Sequence, residues 1–275
     1  MSKKNKLNIG IVGCGAIGSS LAKEIVGGLG NAACLAALYD LQKIKSEALS
    51  KQIIKSTKLC VYNLEALIKK SDLVIEASAA KASWEIARQS LTCGRKVMVM
   101  SVGGMVGHLE DLFSLAKKYK AQAYFPSGAI AGIDGLKAAN IAGIKRIVLT
   151  TRKHPNSFSG VEYVAKRFNL AALKKDKVLF NGTAQEAVKH FPQNINVAAV
   201  LGLAGVGMDK TKVRIIACPS IRKNIHEILI ESVAAKIFTR TENILHPQNP
   251  KTSFLAVLSA IATLKQILEP VKIGT

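Results

Sequence analysis

Apolar positions along the chain follow two different rhythms. Up to about residue 125, short runs rich in β-branched residues alternate with stretches of helical spacing. The runs are LNIGIVG (7–13), ACLAALYD (33–40), DLVIEAS (72–78) and KVMVMSVGG (96–104), with AQAYFPSGA (121–129) as a further strand. Between them, GCGAIGSSLAKEIVGG places Ile17, Leu21, Ile25 and Val26 on one helical face. LEALIKK, KASWEIARQSLTCG and HLEDLFSLAKKY also read as helices. Strands separated by helices predict a parallel sheet covered on both faces.

Beyond that point the rhythm changes. KRIVLTTRK (145–153), KVLFNG (177–182), KVRIIACP (212–219) and NIHEILIES (224–232) are strands with no regular helix between them, and AAKIFTRTENI (234–244) adds another. Such a succession predicts a mostly antiparallel sheet. A helix over Ile133–Asn140 precedes it, and within it falls one long helix, TAQEAVKHFPQNINVAAVLGLAGV, broken near Pro192. The last segment, NPKTSFLAVLSAIATLKQIL, reads as a helix with Asn249 as N-cap and Pro250 in the first turn. Its apolar positions Phe254, Leu255, Leu258, Ile261, Ala262 and Leu264 are expected to bury it against the first domain. The fold class is therefore α/β: a Rossmann-type doubly wound parallel sheet plus an α+β second domain. The expected boundaries are 1–125, 126–248 and a returning C-terminal helix over 249–275.

Composition supports a folded chain and adds one oddity. Of 275 residues, 49% are hydrophobic and 5% aromatic, so the core is mostly aliphatic. Lys and Arg number 39 against 18 Asp and Glu, a net charge of +21 that draws anions. The lysines are scattered in pairs without interleaved aromatics, which disfavours a nucleic-acid partner. Five cysteines in no CxxC spacing suggest neither a disulfide framework nor a metal site, and fit a reducing cytoplasm. No apolar run is long enough to predict a membrane span.

The chemistry begins at GCGAIG, a GxGxxG set between a predicted strand and a predicted helix. Gly13 permits a tight turn, Gly15 lets backbone approach a pyrophosphate, and Gly18 lets the helix pack on the strand. Ala16 and Ile17 lie at the helix N-terminus, whose N–H groups and dipole suit phosphates. Asp40, 22 residues after Gly18, ends the second strand at the distance expected of a ribose-binding carboxylate. It favours NAD, although Lys43 and Lys45 leave NADP open. Ala77 and Ser78 fall at a strand's carboxyl end, where ligands bind on such sheets.

Five histidines are present; His108, His154 and His246 read as surface or turn residues, and His190 lies on a helix beside Lys189. In a strand, His226 shares a face with Asn224, Ile228 and Ile230. Spacing alone makes it a core residue.

The motifs GIVGCGAIG, VIEAS, MSVGG, PSGAIAGIDGLKAA, TTRK, FPQNINVAA, NIHEI and NPKTS, in that order, resemble the L-aspartate dehydrogenase family over nearly the whole chain. The resemblance implies reversible oxidation of L-aspartate to iminosuccinate, which hydrolyses to oxaloacetate and ammonia and can feed NAD biosynthesis. It implies a pyridine nucleotide, NAD or NADP, and a catalytic histidine at His226. Cofactor contacts carry over to Ala129 or Ala131, and to Asn196 or Asn194. Gly104 and Ala131 depart from the expected pattern, which has a larger residue at the first and often glycine at the second. Arg222, Lys223, Lys251, Thr252 and Ser253 are candidates for holding a dicarboxylic amino acid, the last three at a helix start. A homodimer is expected by analogy. The other readings are a homoserine dehydrogenase-like or dihydrodipicolinate reductase-like oxidoreductase, and a non-catalytic nucleotide-sensing regulator. The residues leave open whether His226 moves a proton or grips substrate.

Overall fold

The computed structural model of the chain describes residues 6–191, 196–247 and 249–274. The chain divides into two compact units. One is Met1–Pro126 with Val257–Lys272; the other is Ser127–Ala256 with Ile273–Thr275.

The first unit is built on five parallel strands: β1 (Leu7–Val12), β2 (Ala33–Tyr39), β3 (Leu73–Glu76), β4 (Lys96–Val99) and β5 (Ala123–Tyr124). Their order is β2-β1-β3-β4-β5, so the winding reverses beside β1. The connecting helices are α1 (Ala16–Gly27), α2 (Lys43–Ile54), α3 (Leu64–Lys69), α4 (Ala80–Thr92) and α5 (Leu109–Lys118). Alternate residues feed two cores. Ile9, Ile11, Ile75 and Met98 pack with Leu21 and Ile25 of α1; Val12, Val74, Val97 and Val99 pack with Ile86, Leu91 and Leu112. This is the two-faced burial that a parallel sheet requires.

Helix α2 is absent from the hydrophobic pattern because its buried face is Ser46, Leu49 and Ser50. Ser46 Oγ and Ser50 Oγ satisfy themselves on backbone carbonyls, so polar residues line a packed face.

The second unit carries a five-stranded mixed sheet in the order β10-β9-β6-β8-β7. The strands are β6 (Ile144–Lys153), β7 (Lys177–Thr183), β8 (Thr211–Ala217), β9 (Asn224–Ser232) and β10 (Lys236–Asn243). Three pairings are antiparallel; β6 and β8 run parallel. The long connection through β7, α8 (Ala184–His190) and α9 (Asn196–Ala204) makes that crossover possible. Helices α6 (Ile133–Ile141), α8 and α9 lie on one face, and α7 (Glu162–Ala165) is a single turn. Thr183 and Glu186 form a capping box on α8.

The C-terminal segment corrects the sequence reading. Asn249–Ser253 is not a capped helix start but strand β12, paired with β11 (Leu245–His246). Helix α10 (Phe254–Leu268) begins four residues after Pro250. Ribbon pairing satisfies several backbone groups at once and outweighs one cap, and proline is tolerated at such an edge. Of the expected positions Leu264 is buried and Ile261 partly so, Val257 and Ala260 complete the buried stripe of α10, and Phe254, Leu255, Leu258 and Ala262 are exposed. A helix apolar on nearly every side does not reveal its buried face by period. Ala260 and Leu264 join the first unit's core with Ile9 and Leu21.

Gly104 also has a physical reason. A Cβ there would collide with Ala80 O and Ser83 Oγ of α4. Gly104→Ala should therefore cost about 1–3 kcal/mol by overpacking. Denaturant unfolding measures this, and an unchanged midpoint would show that α4 can yield.

Candidate active site

In the first unit the glycine loop sits where the winding reverses, between the carboxyl ends of β1 and β3. Gly13 has φ +95°, and a Cβ there would strike the Ala77 backbone. A Cβ on Gly18 would strike the Gly13 carbonyl. Both glycines are required by the protein's own packing. Gly15 differs: a Cβ there meets nothing within 4 Å. It opens α1 with no side-chain cap. A bare helix start above open space fits a dinucleotide pyrophosphate, which needs backbone approach. Ala16 and Ile17 form the first turn of that helix.

Asp40 does more than its position suggested. Its Oδ2 accepts from Cys14 N at 2.7 Å and its Oδ1 from Gln42 N at 2.8 Å. The carboxylate thus ties the glycine loop to the end of β2, and two hydrogen bonds leave it with acceptor capacity to spare. Burial, reinforced by Asp40, pushes the Cys14 thiol up to about 12, so it stays protonated.

Ala77 and Ser78 are held by a residue that the sequence reading did not single out. Glu76 is fully buried at the end of β3. Its Oε1 accepts from Ser78 N at 2.7 Å and Ser78 Oγ at 2.8 Å; its Oε2 accepts from Ser101 N at 2.9 Å. Ser101 Oγ donates to Ser78 O at 2.7 Å, closing the link between the ends of β3 and β4. Burial raises the Glu76 pKa, and these donors oppose the rise. The signal was an acid inside the apolar run VIEAS.

In the second unit His226 lies in β9, 3% exposed. Its Nδ1 is 3.0 Å from Thr151 Oγ1 on β6. Thr241 of β10 is its register partner on the other side. Glu227 points to the opposite face, where it pairs with Arg152 at 3.3 Å and Arg240 at 2.5 Å. Burial, with Lys153 adding repulsion, lowers the His226 pKa to about 3, so the ring is neutral at pH 7. Lys153 is itself buried and lowered to about 8. In the strand carrying TTRK, the alternation Leu149, Thr151, Lys153 puts these three on one face, and that is the signal of this row in the sequence.

The loop carrying Ala129 and Ala131 is pinned to β10. Ala129 O accepts from Thr241 Oγ1 and Asn243 Nδ2, each at 3.0 Å, and Ala131 O from Thr239 Oγ1 at 3.1 Å. Ala131 avoids the left-handed region, so alanine is unstrained where glycine was expected. The remaining candidates scatter. Arg222 and Lys223 are exposed, and Lys223 lies 3.9 Å from Glu242. Ser253 is buried and accepts from Asn224 Nδ2 at 3.4 Å, whereas Thr252 Oγ1 accepts from Asn249 Nδ2 at 3.1 Å. With Asn249–Ser253 in a strand, Lys251 and Thr252 lose the helix-start position assigned to them. The Lys251 side chain and all of Asn194 lie outside the described residues; Asn196 opens α9. Among the described residues no cluster of His, Cys, Asp and Glu could hold a metal.

Comparison with known proteins gives the family and the fold. A family described as "Aspartate dehydrogenase, C-terminal" matches residues 134–267, and one described as "Homoserine dehydrogenase, NAD binding domain" matches 13–126. The chain is 48% identical to an L-aspartate dehydrogenase of Methanosarcina mazei over 98% of this chain and 100% of that one. The crystal structure of aspartate dehydrogenase from Thermotoga maritima aligns with TM-score 0.75 and 29% identity, covering 98% and 100% of the two chains. A homoserine dehydrogenase from Thiobacillus denitrificans, at TM-score 0.62 and 13% identity over 96% and 73%, shares the fold alone.

The buried ring predicts a pH dependence of stability. The unfolded chain takes up a proton through 6.5, the folded one only near 3. Stability is therefore fully present above 6.5 and falls as pH drops towards 3, by up to about 1.4 kcal/mol per pH unit. Urea unfolding at pH 7, 6 and 5 should show a shallower decline for His226→Gln than for wild type. Parallel declines would mean that the ring is solvated.

Proposed function

The chain belongs to the L-aspartate dehydrogenase family, and on that basis we propose that it oxidises L-aspartate reversibly to iminosuccinate, which hydrolyses to oxaloacetate and ammonia. It is an oxidoreductase acting on a CH–NH2 group, and it uses a pyridine nucleotide. The observation that carries the mechanism is a buried, neutral His226 held by Thr151 in a family whose chemistry requires a proton to move.

When bound, the cofactor would supply the hydride acceptor for oxidation of the substrate carbon. Gly13, Gly15, Gly18 and the first turn of α1 (Ala16, Ile17) are assigned to its pyrophosphate, Asp40 to its ribose, and Ala77 and Ser78 to the adjoining edge. Ala129, Ala131, Asn194 and Asn196 are assigned to further contacts. NAD is favoured, because a 2′-phosphate beside the Asp40 carboxylate would meet like charge. His226 accepts the proton released as the substrate amine becomes reactive. A neutral ring is suited to that task, and burial favours the neutral form. A carboxylate arriving beside the ring raises that pKa towards the working range. Thr151 at Nδ1 fixes the orientation of the imidazole.

Two finer assignments belong to the same reading. A homodimer is supported by the uncovered face of the second sheet, where Phe238 is 63% exposed beside Leu229 and Val148. A cytoplasmic setting is supported by five cysteines, none in a disulfide.

Initial rates of NADH formation should be highest with L-aspartate in a panel with L-glutamate, L-alanine and L-homoserine. Preference for another amino acid would overturn the substrate assignment. His226→Ala should lower kcat by roughly 10²–10⁴-fold while NADH binding survives. Near-normal turnover would return the ring to a packing role. Asp40→Ser should cut the preference for NAD over NADP, read as the ratio of kcat/KM values, by about tenfold or more. An unchanged ratio would remove Asp40 from cofactor recognition.

A further inference from the structure

The inner face of the second sheet changes character along its length. Across β10, β9 and β6 its first row is Ile237, Ile230 and Ile147, and the next is Thr239, Ile228 and Leu149. Then comes Thr241, His226 and Thr151. One same-face step further lie Asn243 and Asn224, with Lys153 on β6. Asn224, His226, Asn243, Thr151 and Lys153 are all 7% exposed or less. Burying polar groups costs free energy, most of all for a charge, whereas an apolar row would have continued the core. Among the described residues Lys153 is the one buried lysine or arginine.

Asn243 supplies an independent observation. Its Nδ2 donates to Ala129 O at 3.0 Å, which fixes the orientation of the amide. Its Oδ1 is then a buried acceptor with no hydrogen-bond partner among the described residues. A buried acceptor left in that state costs roughly the desolvation of the group, so a donor that reaches it binds well. The row next to His226 thus presents a cation at one end and a waiting acceptor at the other.

We propose that Lys153 and Asn243 bind the substrate directly: the Lys153 ammonium holds a carboxylate of the amino acid, and Asn243 Oδ1 accepts from its amino group. The inference rests on the aspartate dehydrogenase reading above and deepens it. It places substrate recognition on the His226 face of the sheet rather than on the exposed Arg222 and Lys223. The two residues divide the substrate's charges between them. Lys153 recognises what all dicarboxylates share, and Asn243 recognises what only an amino acid carries.

That division gives the test. In the holoenzyme, Lys153→Met should raise KM for L-aspartate roughly 30-fold or more. It should weaken competitive inhibition by succinate to a similar degree. Asn243→Ala should raise KM for L-aspartate about tenfold and leave succinate inhibition within about twofold, since succinate has no amine. NADH binding should be unchanged in both. Unchanged KM in Lys153→Met, or succinate inhibition lost equally in both variants, would overturn the assignment. Should Lys153→Met fail to fold, wild-type protein with ¹³C-labelled lysine decides the matter. Succinate should shift the Lys153 Cε resonance, and an unmoved resonance under inhibiting succinate rejects the contact. If wild type forms no NADH from L-aspartate, the family activity fails. Succinate binding and the resonance shift still report on Lys153 separately.

Discussion

A polar group taken out of water must find its partners inside the protein, and much of this molecule is arranged around that demand. Glu76 is the clearest case. A carboxylate at the end of a wholly apolar strand would be expelled or neutralised if left alone. Three donors from Ser78 and Ser101 surround it instead. In satisfying Glu76, the chain fixes the ends of β3 and β4, the edge where Ala77 and Ser78 lie. Asp40 does the same for the glycine loop by accepting from Cys14 N. Two carboxylates therefore hold three strand ends, accepting mostly from backbone N–H groups.

The second unit meets the same demand differently. Its sheet face is apolar where Ile147, Ile228 and Ile230 pack, and polar where His226 and Lys153 lie. The Thr151 hydroxyl meets the imidazole, and Thr241 and Asn243 meet the Ala129 carbonyl. What stays unmet among the described residues is one acceptor, Asn243 Oδ1. The neutral imidazole follows from the same burial, since the cost of charging the ring exceeds the cost of leaving it basic but empty.

The charge of +21 has a different standing. Its ion pairs, such as Lys43 with Glu47 and Lys69 with Glu65, are exposed helix pairs of small individual worth. The arginines that matter structurally are those on the outer face of the second sheet. There Glu227 takes both Arg152 and Arg240, keeping the side chain next to His226 turned away from the polar row.

The amino-acid sequence by itself determined whatever depends on neighbours along the chain. Glycine spacing between a strand and a helix declared the nucleotide loop, because the φ of Gly13 and the close approach of Gly18 to the Gly13 carbonyl are local properties. Alternation declared the strands and put His226 on an apolar side. The capping box of α8 is equally local. What the tertiary structure alone decided depends on residues far apart in sequence. Asn249–Ser253 has the composition of a helix start, yet it became a strand once Leu245–His246 offered pairing. Gly104 had no visible reason until α4 came against it. Helix α2 buried serines that no hydrophobic pattern could count. Lys153 and Asn243, 90 positions apart by number, share a row only because β9 lies between β10 and β6. Burial, hydrogen-bond completion and charge neighbours are sums over the folded surroundings, so the chemistry of this face was written in the sequence only as residue types, and its arrangement came from cross-strand register.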